Sequence, residues 1–517
     1  MAQNFNEFMQ TLAAREDFRE RYSRQRDPIR EDRLLWRAQS LRHMAHLLPG
    51  QTILELGAGS TLFTKQVSKV TRDENPITAV TFRAPAPSLP AVASSVEYLQ
   101  VDSLPGVLEG RTFDVIVGID LMDERNCAWL LLRVFELLKP GGQVVFYESN
   151  PWNPVLKLRR ALFPMVGSTD TRRLLSRHRL YELLSEIGFI RILAIYNDFV
   201  YAPLNRPLVW LLRNVSILLE NLPVFQQLAG SILIYAQTPV PGTRELTATS
   251  LYEHACLREA VSVVIPCHNE RMNIRPLVSR IIGLYREYLH EIILVDDNST
   301  DDTAEVIRSL ASESPLVKGI FRKPPNGVGL TLADGYRAAS GKYVLSMDCD
   351  FAHLLPEMRD IFDAAAKGYD VVIGSRFSRN SVLLNYPFQK ILANRGFHVI
   401  AQIVFRRRFR DLTNNLKLLK REVVDSLKLV EPHFAVNAET GLQPLLMGFS
   451  VREVPISWIN RTPDMGVSSF RLAKVGGGYW RVLLRLAIET RFGFRPLQRF
   501  HQAATALEEK TEVTARL

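Results

Sequence analysis

Cysteine is scarce in this chain and never paired along it. Four occur in 517 residues, at positions 127, 256, 267 and 349, with no Cys-x-x-Cys spacing. That excludes a disulfide framework and a cysteine-rich zinc site, and it points to a reducing compartment. Long apolar runs are also missing, and none approaches the roughly 20 uncharged residues of a membrane-spanning helix. The opening stretch MAQNFNEFMQ lacks the apolar core of a secretory signal. The expected location is therefore the cytoplasm, with room for peripheral contact at the inner face of a membrane. Acidic residues are in deficit, 54 against 64 Lys and Arg, for a formal charge of +10. Such an excess favours anionic partners such as nucleotides, phosphates or lipid headgroups. No zinc finger or helix-turn-helix pattern accompanies it, so nucleic acid is not expected.

Apolar residues are plentiful, 47% of the chain, enough for more than one core at this length. Two series of strand and helix patterns can be followed. The first runs from TILELGAGS through FDVIVGIDL and GGQVVFYES to GSILIYAQ, with amphipathic stretches such as CAWLLLRVFELLKP between them. The second starts at Val261 and contains VSVVIPC, EIILVDD, KYVLSMDCD and YDVVIGSR. Between them lies TPVPGTRELTATS, rich in Pro, Thr and Ser, which reads as a linker. The alternation predicts two tandem doubly wound α/β domains, over residues 1–240 and 259–470, joined by a linker at 241–258 and followed by a basic amphipathic segment at 471–517.

In open α/β sheets, ligands bind at the carboxyl ends of the strands. In the second series those ends read PCHNE, DDNSTDD, DCD and SR, so several polar groups are expected in one crevice. Asp348 and Asp350 stand one residue apart. Along an extended strand, side chains at i and i+2 share a face. Their repulsion is relieved by a divalent cation lying between them and a diphosphate, the usual way Mg²⁺ is held. Asp301 and Asp302 are better read as residues of a helix N-terminus.

This second series resembles the family 2 glycosyltransferases of GT-A fold, and among them the polyprenyl-phosphate sugar transferases of the dolichol-phosphate mannose synthase type. The matching stretches are VVIPCHNE, EIILVDDNSTDDT, NGVGLTLADGYRAASGKYVLSMDCDFAH, YDVVIGSRF, RDLTNNLKLLKREVV and VREVPISWINR. The resemblance implies that Pro266, His268 and Glu270 line a nucleotide pocket and that Asp297 contacts the base or ribose. It further implies that Asp348 and Asp350 hold Mg²⁺ or Mn²⁺ with the diphosphate, and that Arg376 and Arg461 contact phosphate. Arg376 is otherwise a solvated residue after a strand, and Glu439 is either an acid near the acceptor or an exposed first-turn Glu. Cys349 stands where relatives carry Ala, and RTPDMGVSSFRL replaces a shorter Gly-x-Ser-Lys element.

In the first series, ILELGAGSTLF places Gly57 and Gly59 between a strand and a helix, where backbone can approach a ligand closely. With VEYLQVDSLP, FDVIVGIDL, LLRVFELLKPGGQVVFYE and LYELLSEIGFIRI, it resembles a class I S-adenosylmethionine-dependent methyltransferase over about residues 35–237. That resemblance implies a methionine-side loop of Glu55, Gly57 and Gly59, with Asp102 at the adenine. Thr61 stands at the third glycine position, and ITAVTFRAPAPS supplies no acid for the ribose, so an inactive or regulatory descendant stays open.

The tail SSFRLAKVGGGYWRVLLRLAIETRFGFRPLQRF mixes Arg481, Arg485, Arg491 and Arg495 with Trp480, Leu484, Ile488 and Phe494. It is either an interfacial membrane helix or a helix packed on the domain before it. Together these patterns lead to a glycosyltransferase acting from a nucleotide-sugar donor. No clear acceptor-side general-base motif is present, so a lipid phosphate, anionic without help, is the favoured acceptor over a sugar hydroxyl. The first domain is expected to be a methyltransferase of the same glycan or lipid pathway or, in the alternative, a scaffold beside a single glycosyltransferase activity.

Overall fold

The structure is a computed structural model that describes residues 28–59, 61–82, 95–100, 106–154, 157, 172–199, 215–216, 219–220, 222, 225–240, 250–349, 355–378, 381–384, 388–459 and 472–492. The chain divides into two compact units, Met1–Leu246 with Val382–Phe388, and Thr247–Ser381 with Gln389–Leu517. Each contains a seven-stranded sheet.

In the first unit the strands are β1 (Ile53–Leu56), β2 (Ile77–Thr81), β3 (Val96–Gln100), β4 (Phe113–Ile119), β5 (Leu138–Ser149), β6 (Ile190–Asn197) and β7 (Ser231–Gln237). Their order is β3-β2-β1-β4-β5-β7-β6. All neighbours are parallel except β7, which runs antiparallel to both β5 and β6. Every residue of β1 and β2 is buried, as expected of strands covered on both faces. Helices α1 (Pro28–Met44), α2 (Leu62–Val70), α3 (Cys127–Glu136) and α4 (Arg177–Ile187) accompany the sheet. α3 and α4 bring Leu130, Leu131, Leu180 and Leu184 onto Ile116, Val144 and Ile234 of the strands. α4 is bounded by chemistry legible in the sequence. Ser176 accepts from the Arg179 amide at its start, and Gly188, at φ 105°, takes the left-handed turn that ends it.

The second unit holds β8 (Val261–Cys267), β9 (Leu289–Asp296), β10 (Val317–Phe321), β11 (Tyr343–Ser346), β12 (Val371–Ser375), β13 (Lys417–Lys420) and β14 (Val451–Pro455). Their order is β10-β9-β8-β11-β13-β12-β14. β13 lies antiparallel between β11 and β12, and the other pairs are parallel. This is a mixed α/β unit with a Rossmann-type sheet. Its helices are α5 (Arg271–Tyr285), α6 (Thr303–Glu313), α7 (Val328–Ala338), α8 (Met358–Ala366), α9 (Phe388–Phe405), α10 (Arg421–Ser426), α11 (Val436–Met447) and α12 (Leu472–Phe492).

Two expectations change here. The segment expected as linker is packed where it is described. Leu251 and Leu257 are buried, the Leu251 amide donates to Leu284 O, and Tyr252 lies 5.0 Å from Tyr288 between ring centroids. These apolar residues belong to the second unit, packing at the end of α5 and on Tyr288 just before β9; residues 241–249 lie outside those described. The tail, expected beyond the 259–470 bounds and read as either an interfacial helix or a helix packed on the domain before it, forms α12 packed on the second unit. Val482, Leu483 and Leu486 join its core, and Arg485 pairs with the buried Glu439 of α11. Helical spacing let one face of the tail satisfy the domain core.

Candidate functional site

In the second unit the strand order reverses between β8 and β11, and such a switch point opens a crevice at the carboxyl ends. Beyond β11 the chain runs on beside β8. The Met347 amide donates to Val264 O, and Cys349 Sγ lies 3.3 Å from Pro266 O and 3.4 Å from Cys267 Sγ. Met347 and Cys349 are buried on one side while Asp348, between them, is half-buried and receives Asn415 Nδ2 at 2.7 Å. The strand itself ends at Ser346, so Asp348 stands past the ladder, not within it as the spacing argument assumed. Asp350 lies outside the described residues, as do Arg461 and, in the first unit, Asp102.

The other expected residues are placed around the same edge, with partners the sequence did not reveal. Asp297, after β9, is buried. One of its carboxylate oxygens accepts from the Gly327 amide at 2.7 Å and the other pairs with Arg322, whose Nε reaches Asp334 at 2.8 Å. Its main-chain oxygen accepts from His268 Nδ1 at 3.0 Å. Its carboxylate is thus engaged by the protein itself. Pro266 is half-buried and His268 exposed. Glu270 precedes α5 and accepts from Asn273 Nδ2 at 2.5 Å. Asp301 accepts from the Thr303 amide at the start of α6, while Asp302, the residue before that helix, makes no side-chain cap bond and pairs with Arg271 of α5.

Arg376 corrects an alternative held open above, since it is buried and not solvated. Its Nε and Nη2 meet the two oxygens of Asp411 at 2.7 and 2.9 Å, and Nη2 also reaches Thr413 Oγ1 at 3.1 Å. The guanidinium sits 5.5 Å from the Trp458 ring centroid. Burial alone would raise the Asp411 carboxyl, yet the Arg376 charge and hydrogen bonds hold it well below the usual range. Glu439 is corrected likewise. It is fully buried, accepts from the Val430 and Glu431 amides, and is pushed up by burial.

Residues 411–417 carried no expected role, although they lie in RDLTNNLKLLKREVV. They enter the crevice because β13 inserts antiparallel between β11 and β12. Asp411 to Asn415 are held from several directions. The Arg410 and Asp411 amides donate to Glu453, and the Leu412 amide donates to His398 Nε2 at 3.0 Å. Gly441 of α11 packs so closely that a Cβ there would lie 2.1 Å from Leu412 O. His398 Nδ1 donates to Asn394 O at 2.7 Å, so the ring is neutral, in keeping with burial that lowers it. Lys417, fully buried, donates to Asn437 O and Thr440 Oγ1, each at 2.9 Å, and burial brings it down to about 7.

In the first unit the order reverses between β1 and β4. The turn after β1 has Gly57 at φ 74° and Gly59 at φ 36°, and Glu55 is buried at the strand end. β2 ends in Thr81 and Phe82, with no acid there. A cluster missed in the sequence, buried at Arg172 and Glu148, lies at the ends of β4 and β5. Arg172 pairs with Asp120 at 3.2 Å and Glu148 at 3.1 Å, while Glu148 accepts from the Leu121 and Met122 amides and is pushed by burial up to about 7.

With this geometry in view, residues 262–428 match the glycosyl transferase family 2 profile. The second unit carries a family 2 glycosyltransferase domain. Its sequence is similar to the dolichol-phosphate mannosyltransferase of Pyrococcus furiosus, at 34% identity over 171 residues, 33% of this chain and 48% of that protein. It is also similar to the polyprenol monophosphomannose synthase of Mycolicibacterium smegmatis, at 27% identity over 252 residues, 47% of this chain and 93% of that protein. The chain thus spans about half the length of the first relative and nearly all of the second. Among solved structures, glucosyl-3-phosphoglycerate synthase from Mycobacterium tuberculosis with Mn²⁺ and UDP-glucose aligns over 49% of this chain and 86% of its own, at 19% identity and TM-score 0.36. A likeness at that level bears on neither activity nor ligand.

The donor set of the glycosyltransferase crevice suits a hard cation in one respect, since Asp348 offers a half-buried carboxylate at the switch point. A second cluster, Glu253, His254 and Asp363, brings ligand types together, but Glu253 pairs with Arg359 and His254 Nε2 lies 2.7 Å from Asp363.

Two outcomes follow. Asp411→Asn leaves the Arg376 charge buried without its partner and should cost about 3–5 kcal/mol in urea denaturation; a loss below about 1 kcal/mol, the scale of a surface pair, would place Arg376 in solvent. Lys417 is lowered from 10.5 to about 7 in the folded protein. Between these values the unfolded chain holds a proton that the native state lacks, so stability rises with pH across that window. Lys417→Met should remove that rise, read from melting temperatures across the range. An unchanged slope would mean that Lys417 is charged when folded.

Proposed function

We propose that the protein transfers a sugar from a nucleotide-sugar donor to a polyprenyl-phosphate-type lipid acceptor at a membrane surface. The observation that carries this reading is the placement of Asp348 at the switch point of a family 2 glycosyltransferase sheet, beside Asn415 and near the Arg376–Asp411 pair. The names of the two relatives, a dolichol-phosphate mannosyltransferase and a polyprenol monophosphomannose synthase, support the lipid acceptor.

On this reading Pro266, His268, Glu270 and Asp297 shape the nucleotide side, Asp297 by holding the Gly327 amide and Arg322 in place. Asp348 and Asp350 would hold Mg²⁺ or Mn²⁺, whose charge would favour departure of a nucleoside diphosphate. Asn415 orients the Asp348 carboxylate through its 2.7 Å bond. Arg376, fixed by Asp411, and Arg461 present positive charge to phosphate. A lipid phosphate is anionic at neutral pH, so attack needs no general base, and inversion at the anomeric carbon is implied by the resemblance. A sugar hydroxyl would need a base within reach.

For the first unit we infer a methyltransferase-type site with S-adenosylmethionine as its ligand. Support comes from the glycine turn at the switch point, where Gly57 and Gly59 have positive φ beside the buried Glu55. The absence of an acid at the end of β2 favours a second reading, a scaffold that binds without catalysis.

Supplied with a panel of nucleotide sugars and Mg²⁺ or Mn²⁺, the protein should release a nucleoside diphosphate when a polyprenyl phosphate is present. Asp348→Asn and Asp350→Asn should each lower that rate by at least about 100-fold with the fold intact. Near-normal turnover with metal still required would overturn the assignment of these carboxylates. For the first unit, S-adenosylmethionine should raise the melting temperature, and Gly57→Val should abolish the shift. No shift at saturating ligand would leave the scaffold reading.

A further inference from the structure

α9 presents two unlike faces. Inward, Ile391, Phe397, His398 and Ala401 are buried, His398 receives the Leu412 amide, and Asn394 Nδ2 donates to Thr413 Oγ1 at 3.0 Å. Thr413 in turn accepts from Arg376. Outward, Leu392, Val399, Ile400, Ile403 and Val404 are 38–71% exposed. Positions 392, 396, 399 and 403 fall on one stripe of a helix. Among them only Gly396 lacks a large side chain, and it is exposed as well. Scattered exposed apolar residues need no explanation, but a continuous stripe of them does.

Along the segment itself the charge is of one sign, although Asp411 and Glu453 of other elements act on Arg395. From Gln389 to Arg410 the chain has Lys390, Arg395, Arg406, Arg407, Arg408 and Arg410 and no Asp or Glu. Arg406, Arg407, Arg408 and Arg410 are all exposed, directly beyond the helix end. The neighbouring α12 meets α9 through Tyr479 and Phe397, with ring centroids 5.3 Å apart, and it exposes Trp480, Leu484 and Ile488. Its Arg485 is turned inward onto Glu439, and Arg481 lies 3.4 Å from Glu431. Of the tail cations whose side chains are described, Arg485 is held by a buried acid and Arg481, though 72% exposed, lies beside Glu431, so the basic set with no acid in its own segment is that of α9.

We propose that the outward face of α9, with the Arg406–Arg410 cluster at its end, docks on the surface of an anionic lipid bilayer. Apolar side chains on one face enter the boundary between headgroups and acyl chains while adjacent cations meet lipid phosphate. A second copy of this chain is a poor occupant, because facing stripes would bring two acid-free cationic sets together. Among the described residues no helix is long and apolar enough to cross a membrane, so this contact lies on the surface. The inference deepens the lipid-acceptor reading and rests on it for its purpose. The helix that would touch the bilayer is the same one that holds the Asp411–Asn415 loop, so docking sets the crevice beside an acceptor confined to the membrane.

The test is sedimentation of the full chain with vesicles of phosphatidylcholine alone or with phosphatidylglycerol. The protein should bind the anionic vesicles, less so as salt rises. Val399→Asp with Ile403→Asp, both at exposed positions, should weaken binding by at least about tenfold. Replacing Arg406, Arg407 and Arg408 by Ser should remove the preference for phosphatidylglycerol. Wild-type binding by both variants, no binding by the unaltered protein at low salt, or self-association that these substitutions abolish would each overturn the proposal. Sugar transfer to a short-chain, water-soluble polyprenyl phosphate separates the two readings. The Val399→Asp, Ile403→Asp variant should keep it. Vesicle binding without transfer to any lipid phosphate would sink the acceptor reading and leave the docking surface standing.

Discussion

The second unit is organised around a buried ion pair, Arg376 with Asp411. Taking two charges out of water costs several kcal/mol per ion unless geometry and hydrogen bonds compensate. Here the compensation is extensive. Asp411 accepts from the Arg376 amide and guanidinium and from Thr413, while its own amide is given to Glu453. Meeting those demands draws β12, α9, β14 and α11 onto one short loop. The loop's position then decides where Asn415 can stand, and Asn415 orients Asp348.

Lys417 shows how far this constraint reaches. A fully buried ammonium is unfavourable, and its downward shift reflects that, although Asp411 and Asp348 oppose the shift. Two buried bonds, to Asn437 O and Thr440 Oγ1, connect it to α11. α11 also supplies Glu439, which holds α12 through Arg485. The chain of contacts therefore runs from the crevice to the helix at the far end of the sequence. α9, on its inner side, belongs to the same cage; on its outer side it faces away from the protein.

How much was legible in the sequence depended on the range of the signal. The strand runs VSVVIPC, EIILVDD, KYVLSMDCD and YDVVIGSR declare themselves by composition over a few residues, and each forms a strand ending in polar groups. The Gly57 and Gly59 turn was equally local, because positive φ is a property of single residues. Asp297 was found as a residue of the crevice edge, whereas its engagement with Arg322 and Gly327 was not, since those partners come from other elements.

The sequence by itself determined two doubly wound series, the polar strand ends and the candidate carboxylates, because backbone periodicity and turn chemistry act between near neighbours. Only the tertiary structure decided which charges are buried and which apolar faces are left open. Arg376 and Glu439 look like surface residues until the antiparallel insertion of β13 and the return of α12 enclose them. α9 has apolar residues around most of its circumference, a pattern that by itself reads as a buried helix. One side packs on the Asp411 loop and the other is exposed, and that difference depends on neighbours brought in from distant parts of the chain, which no local pattern encodes.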